Sequence, residues 1–225
     1  MAQNTSTGKC NFCGREFNRG GMARHLRACP QRKEAIATAA KSFKKLWRLY
    51  HLQIQDQWSG EYWLQLEIRG HATLDDLDDY LRAIWLECCG HLSQFSVDGW
   101  RGAEIDMDRR IDQTFRKGTV LTHIYDFGSS TYLLVKMMDA RNGAPLTKHP
   151  IYLMARNNLP VFECDECGAP SVFFCRECSE EAGETICFCD EHAHEHEKEC
   201  EGLMPLVNSP RAGVCGYRGP ANPPY

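Results

Sequence analysis

"EYWLQLEIRGHATLDDLDDYLRAIWLECCG", Glu61 to Gly90, changes its periodicity halfway. From Tyr62 through Leu64, Leu66 and Ile68, apolar residues alternate with polar ones, the period of a half-buried strand, and Gly70 ends the run. From Thr73 onward Leu74, Leu77, Leu81, Ile84, Trp85 and Cys88 recur every three or four positions, which predicts a helix reaching the Cys-Cys-Gly at 88–90. Thr73 and Asp76 form a capping pair at its start. Asp75, Asp76, Asp78 and Asp79 crowd the first turns, where carboxylates suit the positive end of the helix dipole; a divalent-cation site is the less economical account of them.

Further along, "LSQFSVDG", "TVLTHIYDFGSSTYLLVKMMDAR" and "KHPIYLMARN" alternate as strands broken at Gly99, "FGSS" and "RNGAP". Strand, helix, then several strands describe an α+β domain over 59–160. Its expected core includes Leu64, Leu66, Leu81, Ile84, Phe95, Ile124, Tyr125, Leu133 and Val135.

The net charge of −4 conceals a gradient: residues 1–50 carry +9, residues 51–160 carry −4 and residues 161–225 carry −9. A basic head suits polyanions and an acidic tail does not. No apolar run approaches the roughly 18 residues a membrane span requires. The opening "MAQNTSTGKCNFCG" lacks a signal-peptide apolar stretch, and a soluble, cytoplasmic protein is expected. Most of the 13 cysteines fall in closely spaced pairs mixed with histidines, the pattern of metal ligation by reduced thiols rather than of disulfides.

In the head (1–30), Cys10, Cys13, His25 and Cys29 have zinc-finger spacing, with His25 and Cys29 one helical turn apart. Phe17, Met22 and Leu26 would pack beneath the metal, which must supply most of the fold of so small a unit. Gly20 and Gly21 stand where a DNA-reading finger presents long side chains, so base reading is not expected of it. Arg15, Arg19, Arg24 and Arg27 remain available for phosphates of DNA or RNA. After Pro30 a basic amphipathic helix is expected within 31–58. Ile36, Ala39, Ala40, Phe43, Leu46, Trp47 and Tyr50 form one stripe, and Lys41, Lys44, Lys45 and Arg48 the other. It can dock on the core with a solvated lysine face, extend the phosphate-contacting surface, or lie on a membrane.

Residues 161–205 carry four ligand pairs, Cys164/Cys167, Cys175/Cys178, Cys189/His192 and His196/Cys200, enough for two closed zinc sites. Cys187 and His194 are competing ligands. Saturated thiolate and imidazole sites are structural, since catalytic zinc keeps a position open. Glu180, Glu181, Glu184, Glu191, Glu195, Glu197 and Glu199 make a protein partner, or the chain's own head, the better occupant for this module. About three zinc ions follow for the whole chain. The end, 206–225, is rich in proline and turns, and its last residues are expected to be loose.

Two resemblances add to this. The spacing of 161–205 resembles cross-brace modules of the B-box and MYND kind, in which alternate pairs share a metal. That implies Cys164, Cys167, Cys189 and His192 for one ion and Cys175, Cys178, His196 and Cys200 for the other. Thr73–Leu74–Asp76–Leu77, His91–Leu92 with Phe95, and Tyr125–Asp126–Phe127–Gly128 resemble the Ri-plasmid open-reading-frame-three-like domain, an insertion-element passenger family. The resemblance covers about 60–160 and implies an α+β fold in mobile-element or plasmid neighbourhoods, with no agreed activity. Many members have an acidic residue where Ser129 stands, which weakens a paired-carboxylate site with Asp126.

The favoured expectation is thus a zinc-stabilised, non-enzymatic binding or adaptor protein. Association with nucleic acid through its head belongs to this expectation; a pure protein-interaction adaptor is one alternative. The other is a hydrolytic or nuclease-like enzyme centred on His91 and Asp126, with His123, Cys88 and Cys89 as further candidates. A further metal site from Cys88, Cys89, His91 and distant Cys215 is possible, but Trp85, Leu86 and Leu92 nearby favour buried thiols and a satisfied histidine.

Overall fold

Both faces of one strand are buried in the computed structural model, which describes residues 6–43 and 45–225. Leu64, Leu66 and Ile68 point to one side, Trp63, Gln65 and Glu67 to the other, and all six are buried. The reason is a sheet covered on both sides. Its elements are β1 (Thr7–Cys10), β2 (Glu16–Asn18), α1 (Arg19–Ala28), α2 (Pro30–Ser42), β3 (Trp47–Asp56), β4 (Trp63–Arg69) and α3 (Leu74–Leu81). They continue with β5 (Ser93–Val97), β6 (Glu104–Ile105), α4 (Ile111–Thr114), β7 (Val120–Tyr125), β8 (Thr131–Gly143) and β9 (Ile151–Asn157). The nine strands run in the order β2-β1-β9-β4-β3-β8-β7-β5-β6, antiparallel throughout. The fold is α+β.

On one face α3 lays Leu74, Leu77 and Leu81 against Leu52, Ile54, Leu64, Leu66, Leu133 and Val135. All the expected core residues are buried, although Ile124 lies outside this cluster because it alternates with Leu121 and Tyr125 on β7. The capping box of Thr73 and Asp76 forms as expected. Asp78 does not act as a helix-dipole carboxylate. It is buried, 2.6 Å from His123 Nε2, and accepts a hydrogen bond from Ser93 Oγ at 2.7 Å.

On the other face sit the head and a polar layer. Met22 and Leu26 of α1 pack with Trp63, Met154 and Ala155. Arg141 clamps Glu67 with two hydrogen bonds of 2.7 and 2.9 Å, and Arg32 of α2 approaches the same carboxylate at 3.4 Å. His51 Nε2 donates to Gln65 Oε1 at 2.6 Å, and burial pushes this imidazole down to about 4, so it is neutral at pH 7. At the seam Gly8 is obligatory: a Cβ there would lie 2.1 Å from Arg156 O and 2.6 Å from the Trp63 ring. The finger is therefore an edge of the sheet with a shared apolar core, and metal is not its only support.

Three expectations are corrected. The basic helix does not continue past Ser42; Trp47 begins a strand paired with β4 and β8. Tyr50, Leu52 and Ile54 alternate with His51, Gln53 and Gln55, and a central place in the sheet prevails over the helical spacing of Phe43, Leu46 and Tyr50. The helix after Thr73 is α-helical only to Leu81 and finishes as a π turn, Arg82–Leu86, where Glu87 N–H bonds Arg82 O five residues back at 2.8 Å. The tail is not loose. Arg211, Tyr217 and Ala221 are buried, and Tyr225 stacks on His149 at 4.1 Å.

Between 161 and 205 the chain forms β10 (Phe173–Cys175), α5 (Arg176–Ala182), β11 (Ile186–Phe188), α6 (Asp190–His196) and β12 (Leu203–Pro205). These strands pair in the order β11-β10-β12.

Candidate metal centres

Zinc held tetrahedrally at about 2.3 Å from sulfur and about 2.0 Å from nitrogen fixes the distances between its ligands. Sulfur atoms should lie about 3.8 Å apart and sulfur and nitrogen about 3.5 Å apart. Among the described residues, cysteines and histidines come together in four tetrads, in each of which all ligand atoms lie within 4.8 Å of one another, close to that standard.

The first is Cys10, Cys13, His25 and Cys29. A tight turn after β1 offers the first pair, with Gly14 at φ 71° and its N–H bonded to Cys10 O at 2.8 Å. Asn18 caps α1, accepting from Gly21 N–H at 2.8 Å, and α1 presents His25; Cys29 follows one turn later, its N–H bonded to His25 O. His25 Nε2 lies 3.2 Å from Cys13 Sγ, and its ring stacks on Phe17 at 4.3 Å. Burial, with Arg15 adding to it, lowers the His25 imidazole, which keeps the ring in the neutral form a metal needs.

The acidic module holds two more. Cys164, Cys167, Cys189 and His192 converge, with Cys164 and Cys189 Sγ 3.5 and 3.3 Å from His192 Nδ1 and Cys167 Sγ 3.9 Å from Cys189 Sγ. Cys175, Cys178, His196 and Cys200 converge beside them, with Cys175 and Cys200 sulfurs 3.4 Å apart and Cys178 Sγ 3.5 Å from His196 Nε2. The two sets interleave along the chain as the cross-brace resemblance implies. Burial opposes ionising Cys164, but backbone N–H groups of Cys189, Cys167 and Glu166 prevail and bring it to about 6. Cys187 is buried in β11 with its thiol pushed up to about 11 by desolvation, and His194 is exposed; neither joins a tetrad.

The fourth tetrad, Cys88, Cys89, His91 and Cys215, corrects the expectation of buried thiols: Cys89 and Cys215 are exposed and Cys88 and His91 half-buried. The enzyme candidates divide. His91 Nε2 lies 3.5 Å from Asp126 Oδ2, but the same nitrogen faces Cys89 and Cys215 at 3.0 and 3.4 Å. Burial disfavours ionised Asp126, yet Arg211 at 2.7 Å and the N–H groups of Gly128 and Ser129 hold its carboxyl down to about 2, a poor general base. His123 is fully buried against Asp78 and takes no part.

The basic residues of the head are dispersed. Arg19 donates to Gly60 O at 2.6 Å and Arg27 to Met138 O at 3.0 Å, Arg48 reaches Asn142 at 3.2 Å, and Lys45 lies over Trp47 at 4.0 Å. Arg15, Arg24, Arg27, Lys41, Lys45 and Arg48 are exposed and Arg19 is half-buried; Lys44 lies outside the described residues. Missed by periodicity was an aromatic patch on the sheet face away from α3. There Trp100, Phe127 and Tyr132 line one hollow, with Trp58 edge-on to Tyr132 at 5.9 Å.

No protein-family model matches the chain, and no curated protein matches it. The likeness to the Ri-plasmid family therefore rests on its quoted motifs alone. Among solved structures, a protein of unknown function from Methanosarcina mazei Go1 is similar at 16% identity and a TM-score of 0.41, over 49% of this chain and 68% of that one. Among the described residues, no helix is long and apolar enough to cross a membrane.

Proposed function

We propose that this chain is a zinc-built, non-enzymatic binding protein. The finger and the two interleaved sites of the acidic module hold three structural zinc ions, and their purpose is to present surfaces to a partner. The observation that carries this is the agreement of three separate tetrads, drawn from twelve sequence positions, with the ligand spacings of tetrahedral zinc. Their sulfurs stand well beyond the roughly 2.05 Å of a disulfide. Thiolate and imidazole are ligands suited to zinc. Native mass spectrometry of protein from zinc-supplemented culture is expected to find at least three ions, with Cys164→Ser and Cys175→Ser each losing one; a metal-free wild-type chain would overturn the proposal.

A protein is the partner favoured for 161–225, where the net charge is −9. The exposed aromatic patch supports the same role, since aromatic side chains supply much of the energy at protein interfaces. The nucleic-acid component rests on exposed charges of which several are engaged within the chain, Arg27 with Met138 O, Arg48 with Asn142 and Lys45 over Trp47. Binding of a short DNA or RNA by fluorescence anisotropy is expected to be weak, and to fall with salt by a slope of only about two to three counterions. No binding even at low salt would restrict the chain to protein partners. A mobile-element setting belongs to the proposal solely through the Thr73–Leu77 and Tyr125–Gly128 motifs. An enzyme centred on His91 and Asp126 is less well supported, because sulfur occupies the one and Arg211 the other.

A further inference from the structure

We propose that Cys88, Cys89, His91 and Cys215 hold a fourth zinc ion, an exchangeable clasp that fastens the C-terminal tail to the central sheet. The ligand spacing supplies the first argument. Cys89 Sγ lies 3.8 Å from Cys88 Sγ, 3.7 Å from Cys215 Sγ and 3.0 Å from His91 Nε2, and His91 Nε2 lies 3.4 Å from Cys215 Sγ. Apart from the closer Cys89–His91 approach, these match the spacings in the other three tetrads, and all four ligand atoms lie within 4.8 Å of one another. Cys89 and Cys215 are 126 positions apart in the chain, so no local turn brings them together.

The backbone supplies the second. Cys215 has φ 51° and ψ 34°, a left-handed conformation that is unfavourable for a residue with a Cβ and that the nearby Gly213 and Gly216, also at positive φ, adopt freely. The strain aims its sulfur at the other three ligands.

The surroundings supply the third. Fully buried Arg211 points Nε and Nη2 at Cys88 Sγ, each at 3.4 Å, and Nη1 at Ser129 O and Thr131 Oγ1, each at 3.0 Å. Three thiolates on a divalent ion leave one negative charge, and a guanidinium beside the sulfur, held in place by Asp126 at 2.7 Å, is an outer-shell donor suited to such a centre. The π turn Arg82–Leu86 leads into Cys88 and Cys89, and Ser209 Oγ fixes the tail to its Trp85 O at 2.6 Å. Each of the other tetrads contains a buried cysteine, whereas this one has none. Solvent and chelators reach it directly, so its ion is the first to leave.

Native mass spectrometry of the intact chain is expected to count four zinc ions and, for Cys215→Ser, three. Tryptic cleavage after Arg218 should then be at least several-fold faster. Since a variant can misfold, the wild-type protein is also titrated with a chromogenic chelator below stoichiometry, and alkylation by iodoacetamide is mapped. The first ion released should expose Cys88, Cys89 and Cys215 together, ahead of the nine ligand cysteines elsewhere. Four ions retained by Cys215→Ser, or immediate alkylation of Cys89 and Cys215 in fully loaded wild type, would overturn the clasp. Loss of the other three ions with this one intact would instead refute the preceding reading and leave the clasp standing.

Discussion

A strong chelator is expected to unfold residues 161–205 almost completely while leaving the nine-stranded sheet standing. The buried clusters of that segment are small: Cys164, Cys175, Phe188, Ala193 and Leu203, of which two belong to the proposed metal tetrads, and Phe174, Cys187 and Met204. Its helices have seven residues each and its strands three, too short to persist without tertiary support. Structural zinc contributes roughly 10–16 kcal/mol per site in comparable units, as much as an entire domain's stability. The head should respond differently. Its β1 is hydrogen-bonded to β9, and Met22 and Leu26 lie on Trp63 and Met154, so chelation should loosen the turn at Cys10–Cys13 and the end of α1 without detaching them. Hydrogen exchange read by mass spectrometry resolves the two regions. Unchanged protection across 161–205 in excess chelator would mean that apolar packing, not metal, holds the module.

That contrast also marks what the sequence made legible. Ligand spacing is a local property, and the finger and the four ligand pairs of 161–205 could be read from it, whereas which pairs share an ion came only from the cross-brace resemblance. The strand and helix at 61–81 were legible for the same reason, since their periods lie in one short window. The four residues of the fourth tetrad were named from the sequence but set aside in favour of buried thiols, because Cys215 meets Cys89 only through a tail that docks by Arg211 and Ser209, and no periodicity encodes that contact. The basic helix was overextended where two patterns overlap. Phe43, Leu46 and Tyr50 satisfy a helix while Tyr50, Leu52 and Ile54 satisfy a strand, and only pairing with β4 and β8 decides between them. The burial of Gln65 and Glu67 was likewise invisible, since it depends on a head that covers the second face of the sheet.

Replacing Arg211 by methionine, which keeps the bulk and removes the charge, is expected to destabilise the central domain by about 3–5 kcal/mol, the cost of leaving a buried carboxylate without its partner. Arg211 is completely buried, lies over the Tyr125 ring at 4.7 Å and meets Asp126 Oδ2 at 2.7 Å. Asp126 is itself buried in a left-handed turn at φ 67° and cannot swing out to water without breaking its bond to Gly128 N–H at 2.9 Å. Without the guanidinium its carboxyl should rise from about 2, and the sign of the pH effect follows. A depressed carboxyl stabilises the fold above its unfolded value, near 3.9, and that contribution disappears as pH falls toward 2. Urea titrations between pH 5 and 3 should therefore show wild type losing more stability on acidification than Arg211→Met. The double variant Arg211→Met/Asp126→Asn should recover much of the loss, because it removes the stranded charge as well. Equal pH profiles for wild type and Arg211→Met would show that Asp126 is stabilised by its backbone donors alone and that the guanidinium serves only Cys88.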